Sequence, residues 1–316
     1  MKKSRRKALI VVTAIAAVIA VGLTTTTVVN VVATAAEKDR IEPYGQKVDV
    51  AGREMNVLIT GEGPETIVLL PGFGTASPAL DFGPLLPGLA EDHRVIVVEP
   101  FGYGLSDGSD APRTTENIVS EVHEALQELG VSEYVLMGHS IAGVYAIEYA
   151  QRYRDEVTAF VGIDTSVPGQ PNMDVAFPTG LLGALRNLGL VRLLSGVGGS
   201  GYDEPVFDDR TREQIALISG QNSLAPTYLD EMSRIGENFR RALDQTFPAD
   251  LPLLLFAQSD NETNPDWVAL HERQADTVSD GTVIALPGEH YLHHRQTPAI
   301  IDALREWEST RTHAAS

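Results

Sequence analysis

The feature that most constrains this chain is the segment YVLMGHSIAGVYA, from Tyr134 to Ala146, in which a serine stands among small residues. Its first residues are apolar and suit a buried strand, whereas small and apolar residues at helical spacing follow the serine. A serine at the apex of a strand-to-helix turn adopts a strained backbone that projects its hydroxyl above the sheet. A purely structural turn needs no hydroxyl there, so the segment predicts a nucleophile, Ser140.

The residues two positions to either side of that serine must be small to permit so tight a turn. They are Gly138 and Ala142, with Gly143 next, whereas the usual pattern is G-x-S-x-G. Ala142 departs from the pattern by one methyl group, which a closely packed turn tolerates. A strand-to-helix turn that merely happens to contain serine is the alternative reading.

Apolar runs elsewhere predict the remaining strands. Residues 47–52 and 55–60 predict a hairpin around Ala51 and Gly52. Continuous apolar runs, typical of strands buried on both faces, occur at 66–70, 94–99, 134–138, 157–163, 251–257 and 282–286. An antiparallel start followed by repeating β-α units predicts an α/β fold with a mostly parallel sheet and helices on both of its faces.

Three stretches between or after these strands have clear helical signals. Thr115 to Leu129 shows an apolar stripe on one face and is ended by Gly130. Asn264-Pro265 predicts the start of a second helix, with Asn as its cap and Pro in its first turn. Pro298 predicts the start of a last helix that continues through Trp307.

One segment, between Asp164 and Asp250, breaks this alternation because it has helical patterns and no clear strand. It predicts a helical cap inserted into the core. Gly196 to Gly201 within it matches G-x-G-x-x-G, but the acidic continuation YDEPVFDD does not suit a phosphate-binding helix, so no cofactor is predicted. The predicted organisation is an N-terminal segment 1–36, a linker 37–46, a core of 47–164 with 250–310, and a cap 165–249.

The N-terminus combines basic residues with a long apolar run. Five Lys or Arg residues occur within residues 1–7, the run from Ala8 to Leu23 follows, and no charged residue appears before Glu37. A membrane span needs about 20 apolar residues, which Ala8 to Val29 supplies, whereas a secretory signal needs roughly 7–15. We predict an uncleaved membrane anchor, with a signal peptide cleaved near the ATAA at 33–36 as the alternative. Both place the body outside the cytoplasm, because the positive flank stays inside.

Charge and cysteine content exclude several classes of function. The net charge is −19, and the basic N-terminus makes the remainder more acidic still. Such a body is repelled by phosphate backbones, so nucleic acid is not a predicted partner. The absence of cysteine excludes disulfides, thiolate nucleophiles and Cys-type zinc sites. The sequence does not indicate an oligomeric state.

A serine nucleophile requires a base and a group that orients that base. His290 follows the last predicted strand across a Pro287-Gly288 turn, which would deliver it over the sheet edge where Ser140 emerges. It is the predicted base. His293 and His294 lack such a strand-end position, and for them we expect an exposed or supporting role. No metal is predicted, because no carboxylate cluster of recognisable spacing accompanies the three histidines.

The orienting acid is expected at the end of another strand. Asp260 lies just past the strand that ends at Ala257 and is the predicted acid, which gives the order Ser…Asp…His expected with this type of elbow. Asp164, directly after the preceding strand, is the second candidate, and Glu262 is the third. Placement at a strand end is the only feature that ranks them.

Backbone donors must face the oxygen of the attacked carbonyl, since it acquires negative charge. The N–H of Ile141, directly after the nucleophile, is one predicted donor. The N–H of Phe73 is the second, because the glycine-flanked loop LLPGFG, residues 69–74, follows the third strand. An ordinary tight turn is the alternative for this loop.

These motifs resemble the α/β-hydrolase-fold serine hydrolases, and the resemblance extends over nearly all of Val48 to Glu308. The segments PGFG, EPFGYGLSD, MGHSIAG, QSDN and GEHYLHH stand in the order and spacing of that superfamily's landmarks. GTASPALDF and NPDWVALHE resemble a bacterial branch of membrane-anchored members. The resemblance implies an eight-stranded sheet, a cap between the sixth and seventh strands, a Ser-Asp-His triad and no cofactor.

The predicted function is cleavage of small carboxylic esters or related acyl compounds by a membrane-bound or secreted serine hydrolase. The same fold hosts cofactor-free haloperoxidases, aminopeptidases, C–C hydrolases and acyltransferases, so these activities are alternatives. The serine argues against the dehalogenases and epoxide hydrolases of this fold, which use a carboxylate nucleophile. A non-catalytic binding protein would predict a degraded triad, whereas all three positions are filled here.

Overall fold

The computed structural model describes residues 2–195, 202 and 206–314, and an eight-stranded sheet in the order β1-β2-β4-β3-β5-β6-β7-β8 lies at its centre. β1 and β2 pair antiparallel to their neighbours, whereas all other pairs are parallel. The eight predicted strands are confirmed. Their bounds are β1 Gln46–Val50, β2 Arg53–Thr60, β3 Glu65–Leu70, β4 His93–Glu99, β5 Tyr134–His139, β6 Val157–Ile163, β7 Leu253–Gln258 and β8 Gly281–Leu286.

The first two strands form the predicted hairpin, in which Val50 pairs with Arg53. The two residues between them, Ala51 and Gly52, have φ values of 51° and 78°. A two-residue hairpin turn of this kind requires positive φ at both positions, so the backbone twist of the turn matches that of the strands.

The prediction that β8 is buried on both faces is wrong. β8 is the last strand of the sheet and pairs only with β7. Its residues are half-buried or exposed. A short apolar run looks the same at the edge and at the centre of a sheet, because the run reports only its own composition.

Helices cover both faces of the sheet, and alternate residues of β3 show the division. Val68 and Leu70 belong to the core cluster that also holds Val122 of the helix Thr115–Glu128. Ile67 belongs to the cluster that holds Leu304 of the helix Thr297–Ala314. The helices are α1 Lys2–Lys38, α2 Pro78–Asp81, α3 Leu86–Leu89, α4 Thr115–Glu128, α5 Ala142–Arg152, α6 Thr179–Asn187, α7 Leu190–Ser195, α8 Asp209–Asn222, α9 Pro226–Ala242, α10 Trp267–Ala275, α11 Leu292–Arg295 and α12 Thr297–Ala314.

The three helices with clear sequence signals are present, with one boundary moved. α4 ends as expected before Gly130, whose φ is 66°. α10 begins at Trp267 rather than at Asn264-Pro265. The backbone N–H of Asn264 donates to Asn261 Oδ1, and this local turn takes the place of the predicted first helical turn.

The connection between β6 and β7 contains α6, α7, α8 and α9, and no strand among the residues described there. This confirms a helical cap inserted between the sixth and seventh strands. Residues 196–201, which carry the G-x-G-x-x-G match, lie outside the described part of the chain.

The long helix α1 precedes the core. It is apolar and long enough to cross a membrane, and its apolar window is not buried against the rest of the protein. A signal sequence has the same properties. Its C-terminal half contacts α7 and α8 of the cap.

Candidate active site

The strand-to-helix turn between β5 and α5 holds Ser140 in a left-handed conformation, with φ of 55°. Close packing requires the small residues beside it. A Cβ on Gly138 would lie 2.8 Å from the Cβ of Ala142, and one on Gly143 would lie 2.4 Å from the carbonyl oxygen of Ser166. Ala142 is therefore tolerated because Gly138 lacks a side chain, and the turn forms a nucleophile elbow.

His290 lies at this turn, as the sequence predicts. The distance from its Nε2 to Ser140 Oγ is 2.9 Å, and the distance from its Nδ1 to Asp164 Oδ2 is 2.6 Å. Because a carboxylate only accepts hydrogen bonds, Nδ1 carries the proton and Nε2 is free to accept one from the serine. The three side chains therefore form one continuous hydrogen-bonded chain.

Asp164 is completely buried at the end of β6, and three donors surround its carboxylate. Its Oδ1 accepts from the indole Nε1 of Trp267 at 2.6 Å and from the backbone N–H of Gln258 at 2.8 Å, while Oδ2 accepts from His290. The side chain of His290, by contrast, is 45% exposed. The arrangement fixes the acid rigidly and leaves the imidazole open to a ligand.

The structure does not bring Asp260, the predicted acid, to the imidazole. Its Oδ1 instead accepts from the backbone N–H of Gly288 at 3.1 Å, so it supports the turn that precedes His290. β6 is the immediate neighbour of β5, whereas β7 lies one strand further away. The second candidate, Asp164, therefore occupies the position next to the imidazole, and Glu262 lines the cavity in front of it.

Both predicted oxyanion donors lie beside Ser140. Phe73 and Ile141 line the same cavity as Ser140, and within the described residues neither backbone N–H donates a hydrogen bond. The loop that carries Phe73 packs tightly on the elbow, since a Cβ on Gly72 would lie 3.0 Å from the Cβ of Ser140. The two N–H groups are thus available for a developing negative charge.

His293 and His294 are not exposed, contrary to one of the roles expected for them. Both are buried and donate from Nε2 to the two oxygens of the buried Asp81, at 2.8 and 3.0 Å. Burial alone would raise the pKa of Asp81, but these two imidazoles hold it well below its usual range. The three groups lie close enough together to share a cation, yet the Nε2 atom of each imidazole already faces a carboxylate oxygen of Asp81 at hydrogen-bond distance.

His139, just before the nucleophile, is a supporting residue that the sequence reasoning missed. Its Nε2 donates to the backbone carbonyl of His290 at 3.1 Å, which joins the turn that carries His290 to the turn that carries Ser140. Burial, with the neighbouring imidazoles of His293 and His290, lowers its pKa well below the usual range. Trp267 and Asp81 appear in the sequence only as members of the motifs NPDWVALHE and GTASPALDF. Their roles could not be predicted, because their hydrogen-bond partners lie far away along the chain.

A cavity of about 950 Å³ opens in front of Ser140 and His290. Two kinds of surface line it. Residues from the cap are mainly apolar, among them Met173, Phe177, Ile235 and Phe239. The loops after β7 and β8 contribute acidic residues, namely Asp260, Glu262 and Glu289. Arg295 lines the cavity as well. The cavity therefore offers one apolar wall and one charged wall beside Ser140, and three carboxylates against one guanidinium make the charged wall acidic on balance.

Comparison with known proteins supports the assignment of the fold. Residues 65–186 match the model of the alpha/beta hydrolase fold family. The chain is 35% identical over 127 residues, or 40% of its length, to the uncharacterized protein YbdG of Bacillus subtilis, and 28% identical over 119 residues, or 38% of its length, to a 2-(acetamidomethylene)succinate hydrolase of Mesorhizobium japonicum. The matched regions span 39% and 42% of those two relatives.

A solved structure extends the likeness to nearly the whole core. A thermophilic esterase from Thermogutta terrifontis superposes with a TM-score of 0.63 over 84% of this chain and 99% of the esterase, at 19% sequence identity. A sequence identity of 19% supports a shared fold and no statement about function. The sheet topology, the family match over residues 65–186 and the structural superposition agree, and the chain has the α/β-hydrolase fold.

Proposed function

We propose that this protein is a serine hydrolase that cleaves carboxylic esters or related acyl compounds through an acyl-enzyme. The single observation that carries the proposal is the continuous hydrogen-bonded chain from Ser140 Oγ through His290 to the buried Asp164. Such a constellation is recognised by geometry and roles rather than by sequence position.

The proposed mechanism follows from this geometry. Ser140 Oγ attacks the acyl carbon while its proton passes to His290 Nε2, and Asp164 stabilises the resulting imidazolium. The N–H groups of Phe73 and Ile141 receive the developing oxyanion. His290 then donates the proton to the leaving alcohol. A water molecule, activated by the same imidazole, hydrolyses the acyl-enzyme and restores the serine.

The cavity suggests how a substrate would lie. We place the acyl chain against the apolar cap residues and the leaving group towards the acidic loops. Apolar pocket walls with few polar groups are typical of small-molecule sites. The relatives named as a hydrolase and an esterase agree with this reaction class.

A second candidate function is hydrolysis of aminoacyl substrates. The acidic wall formed by Asp260, Glu262 and Glu289 lies beside His290 and would attract a substrate with a free amine. Aminoacyl p-nitroanilides therefore belong in the same substrate panel as the esters. Preference for the amine-bearing compounds would favour this second function.

We further propose that α1 remains attached and anchors the hydrolase outside the cytoplasm. Arg192 of the cap binds Glu37 through two hydrogen bonds of 2.6 and 2.7 Å and also contacts Thr34 and Asn30. Cleavage after residue 36 would remove two of these three partners. The contacts therefore favour an uncleaved anchor over a removed signal peptide.

The decisive test is activity-based labelling of the full chain. A fluorophosphonate probe is expected to label the protein, and Ser140→Ala should abolish both labelling and turnover of a p-nitrophenyl ester because it removes the nucleophile. Ser132→Ala, at an exposed serine, is the matched control and should retain both. Labelling or turnover that persists in Ser140→Ala, with the fold intact by circular dichroism, would overturn the proposal.

A further inference from the structure

The cap carries exposed apolar residues next to its contact with α1. Leu181 of α6 and Leu193 of α7 are 60% and 64% exposed, and no residue of α6 is fully buried. α6 and α7 pack on each other. Because these two leucines lie on adjoining helices beside a predicted membrane anchor, the surface of a membrane is the neighbour that would cover them.

The contact with α1 fixes where this face lies along the anchor. Gly189, between α6 and α7, packs so closely on α1 that a Cβ there would lie 2.4 Å from the carbonyl oxygen of Thr26. Asn30 Nδ2 donates to the carbonyl of Arg186, one helical turn further along α1. The connection between α6 and α7 therefore meets α1 at Thr26 to Asn30.

Helix geometry places that contact at the outer surface of the bilayer. A span of roughly 20 residues, at 1.5 Å per residue, covers the ~30 Å hydrocarbon core. Counted from Ala8, directly after the last basic residue, such a span ends near Thr27. Gly189 is then level with the edge of the hydrocarbon. α7 leads from there into the headgroup region, because Arg192 contacts Thr34 and Glu37 further along α1, and Leu193 lies about 6 Å from Gly189 along α7.

A groove leads from this face towards the active site. Its volume is about 1050 Å³, and it runs between the C-terminal part of α1 and the cap helix α8. Apolar residues such as Val31 and Ala216 line it together with charged ones, among them Lys38, Arg40 and Glu213. It extends to Gly74 and Tyr291, the immediate chain neighbours of the oxyanion residue Phe73 and of the base His290. The groove thus connects the anchor side of the cap with the loops that carry the proposed chemistry.

We propose that the face of the cap formed by α6 and α7 is seated in the outer leaflet, and that the hydrolase takes acyl esters from that leaflet through the groove beside α1. The occupant of the groove is a membrane-borne ester on its way to the cavity in front of Ser140, where its acyl chain then lies against the apolar cap residues. The proposal rests on the proposed ester hydrolysis and on the proposed anchoring. Leu181 and Leu193 make the apolar contact with lipid, and the position of α1 in the bilayer determines how deeply they lie in the outer leaflet.

Site-directed spin labelling tests the seating, and the cysteine-free sequence allows it without background labels. Leu181→Cys and Leu193→Cys, nitroxide-labelled in nanodiscs of phosphatidylethanolamine and phosphatidylglycerol, should collide with oxygen dissolved in lipid and be shielded from an aqueous nickel chelate. Leu243→Cys, an exposed leucine just after α9, is the matched control and should meet the chelate. A label at Val18→Cys, within the apolar part of α1, reports whether this helix lies in the hydrocarbon of the bilayer.

The label results separate the two ideas. If the label at Val18 is accessible to lipid but the labels at Leu181 and Leu193 are accessible to water, the face formed by α6 and α7 is not seated in the membrane. The proposed anchoring by α1 is then unaffected. Water accessibility at Val18 overturns the anchor and, with it, the seating. Neither outcome depends on catalytic activity.

Blocking the groove tests the route. Ala216→Trp should slow hydrolysis of p-nitrophenyl palmitate in vesicles of the same lipids by roughly tenfold, a loss of about 1.4 kcal/mol, and leave soluble p-nitrophenyl acetate unaffected. Glu128→Trp, at the exposed end of α4, is the control and should change neither rate. Equal effects of Ala216→Trp on both esters overturn the route. Failure of the unmodified chain on the acetate is instead a failure of the proposed function.

Discussion

At the scale of single residues, the site depends on which carboxylate meets the imidazole. Asp164 lies 2.6 Å from His290 Nδ1 and is sealed from solvent, whereas Asp260 is exposed and binds a backbone N–H. A buried carboxylate holds the imidazole in the correct tautomer and stabilises its charged form during the reaction. An exposed carboxylate that binds a different donor does neither.

This difference predicts unequal effects of matched substitutions. Asp164→Asn should lower kcat by about ten-thousand-fold, because an amide at the orienting position favours the wrong imidazole tautomer. Asp260→Asn should leave kcat close to that of the unmodified chain, since it weakens only one exposed hydrogen bond. Ester turnover measures both, with thermal unfolding as the control for folding. A larger loss in Asp260→Asn would contradict the assignment of the acid.

Burial of His139 predicts a pH-dependent contribution to stability. Its folded-state pKa lies well below the ordinary value of 6.5, so below that pH the unfolded chain binds a proton that the folded chain does not. The contribution of His139 to the free energy of unfolding is therefore complete above the ordinary pKa. It falls with decreasing pH by up to ~1.4 kcal/mol per pH unit.

Chemical denaturation of the unmodified chain and of His139→Asn measures this effect. The difference between their free energies of unfolding should shrink from about pH 8 to about pH 5. Comparison with the variant cancels the other titrating groups, including the buried glutamates. A difference that stays constant or grows towards acid pH would show that the imidazole is protonated in the fold.

At the scale of elements, a buried acid on the cap helix α9 binds the cap to the core. Glu231 Oε1 accepts from the hydroxyls of Tyr103 and Tyr145, each at 2.8 Å. Burial raises the pKa of Glu231, while nearby Arg113 and the two hydroxyls partly offset that rise. Asn238 lies about two helical turns further along α9. Its side chain accepts from the backbone N–H of Thr115 and donates to the carbonyl of Arg113, at the start of α4.

This contact predicts a stability effect at two tyrosines of the core. Tyr103→Phe and Tyr145→Phe should each lower the free energy of unfolding by about 1–3 kcal/mol, because each removes a hydrogen-bond donor from a buried carboxyl oxygen. Tyr153→Phe, at a half-buried tyrosine that stacks on His123, should change it by less than about 0.5 kcal/mol. Equal effects at all three positions would mean that Glu231 does not hold the cap.

At the scale of the whole molecule, an acidic α/β body follows an apolar helix that begins with basic residues. All strands of the sheet and the three residues of the proposed triad lie after residue 45. α1 contacts the described body mainly through α7 and α8 of the cap. The body should therefore fold without the anchor, and the anchor should set its location.

Removal of residues 1–36 tests this division. The full chain should remain with membranes after a high-salt wash, because α1 inserts into hydrocarbon rather than binding by charge. The shortened chain should be recovered in the soluble fraction, with unchanged kcat/KM for a short soluble ester. A full chain released by salt would argue against a spanning anchor. Loss of folding on truncation would show that α1 belongs to the core.

The sequence by itself determined the strands, the order of the elements, the serine elbow and the histidine of the last turn. These features are local: apolar runs, helical stripes and small residues around a strained turn depend only on near neighbours along the chain. The elbow could be read from Gly138 to Ala142, because the close contact between these two residues arises within the turn itself, whereas the limit on Gly143 comes from the distant Ser166.

Only the tertiary structure decided which acid partners His290, where β8 lies in the sheet, and what surrounds His293 and His294. The carboxyl ends of β6 and β7 meet the same edge of the sheet, so Asp164 and Asp260 look equivalent along the chain. The order of neighbouring strands and the direction of each side chain separate them. Those are set by packing between residues a hundred or more positions apart, which no local pattern records.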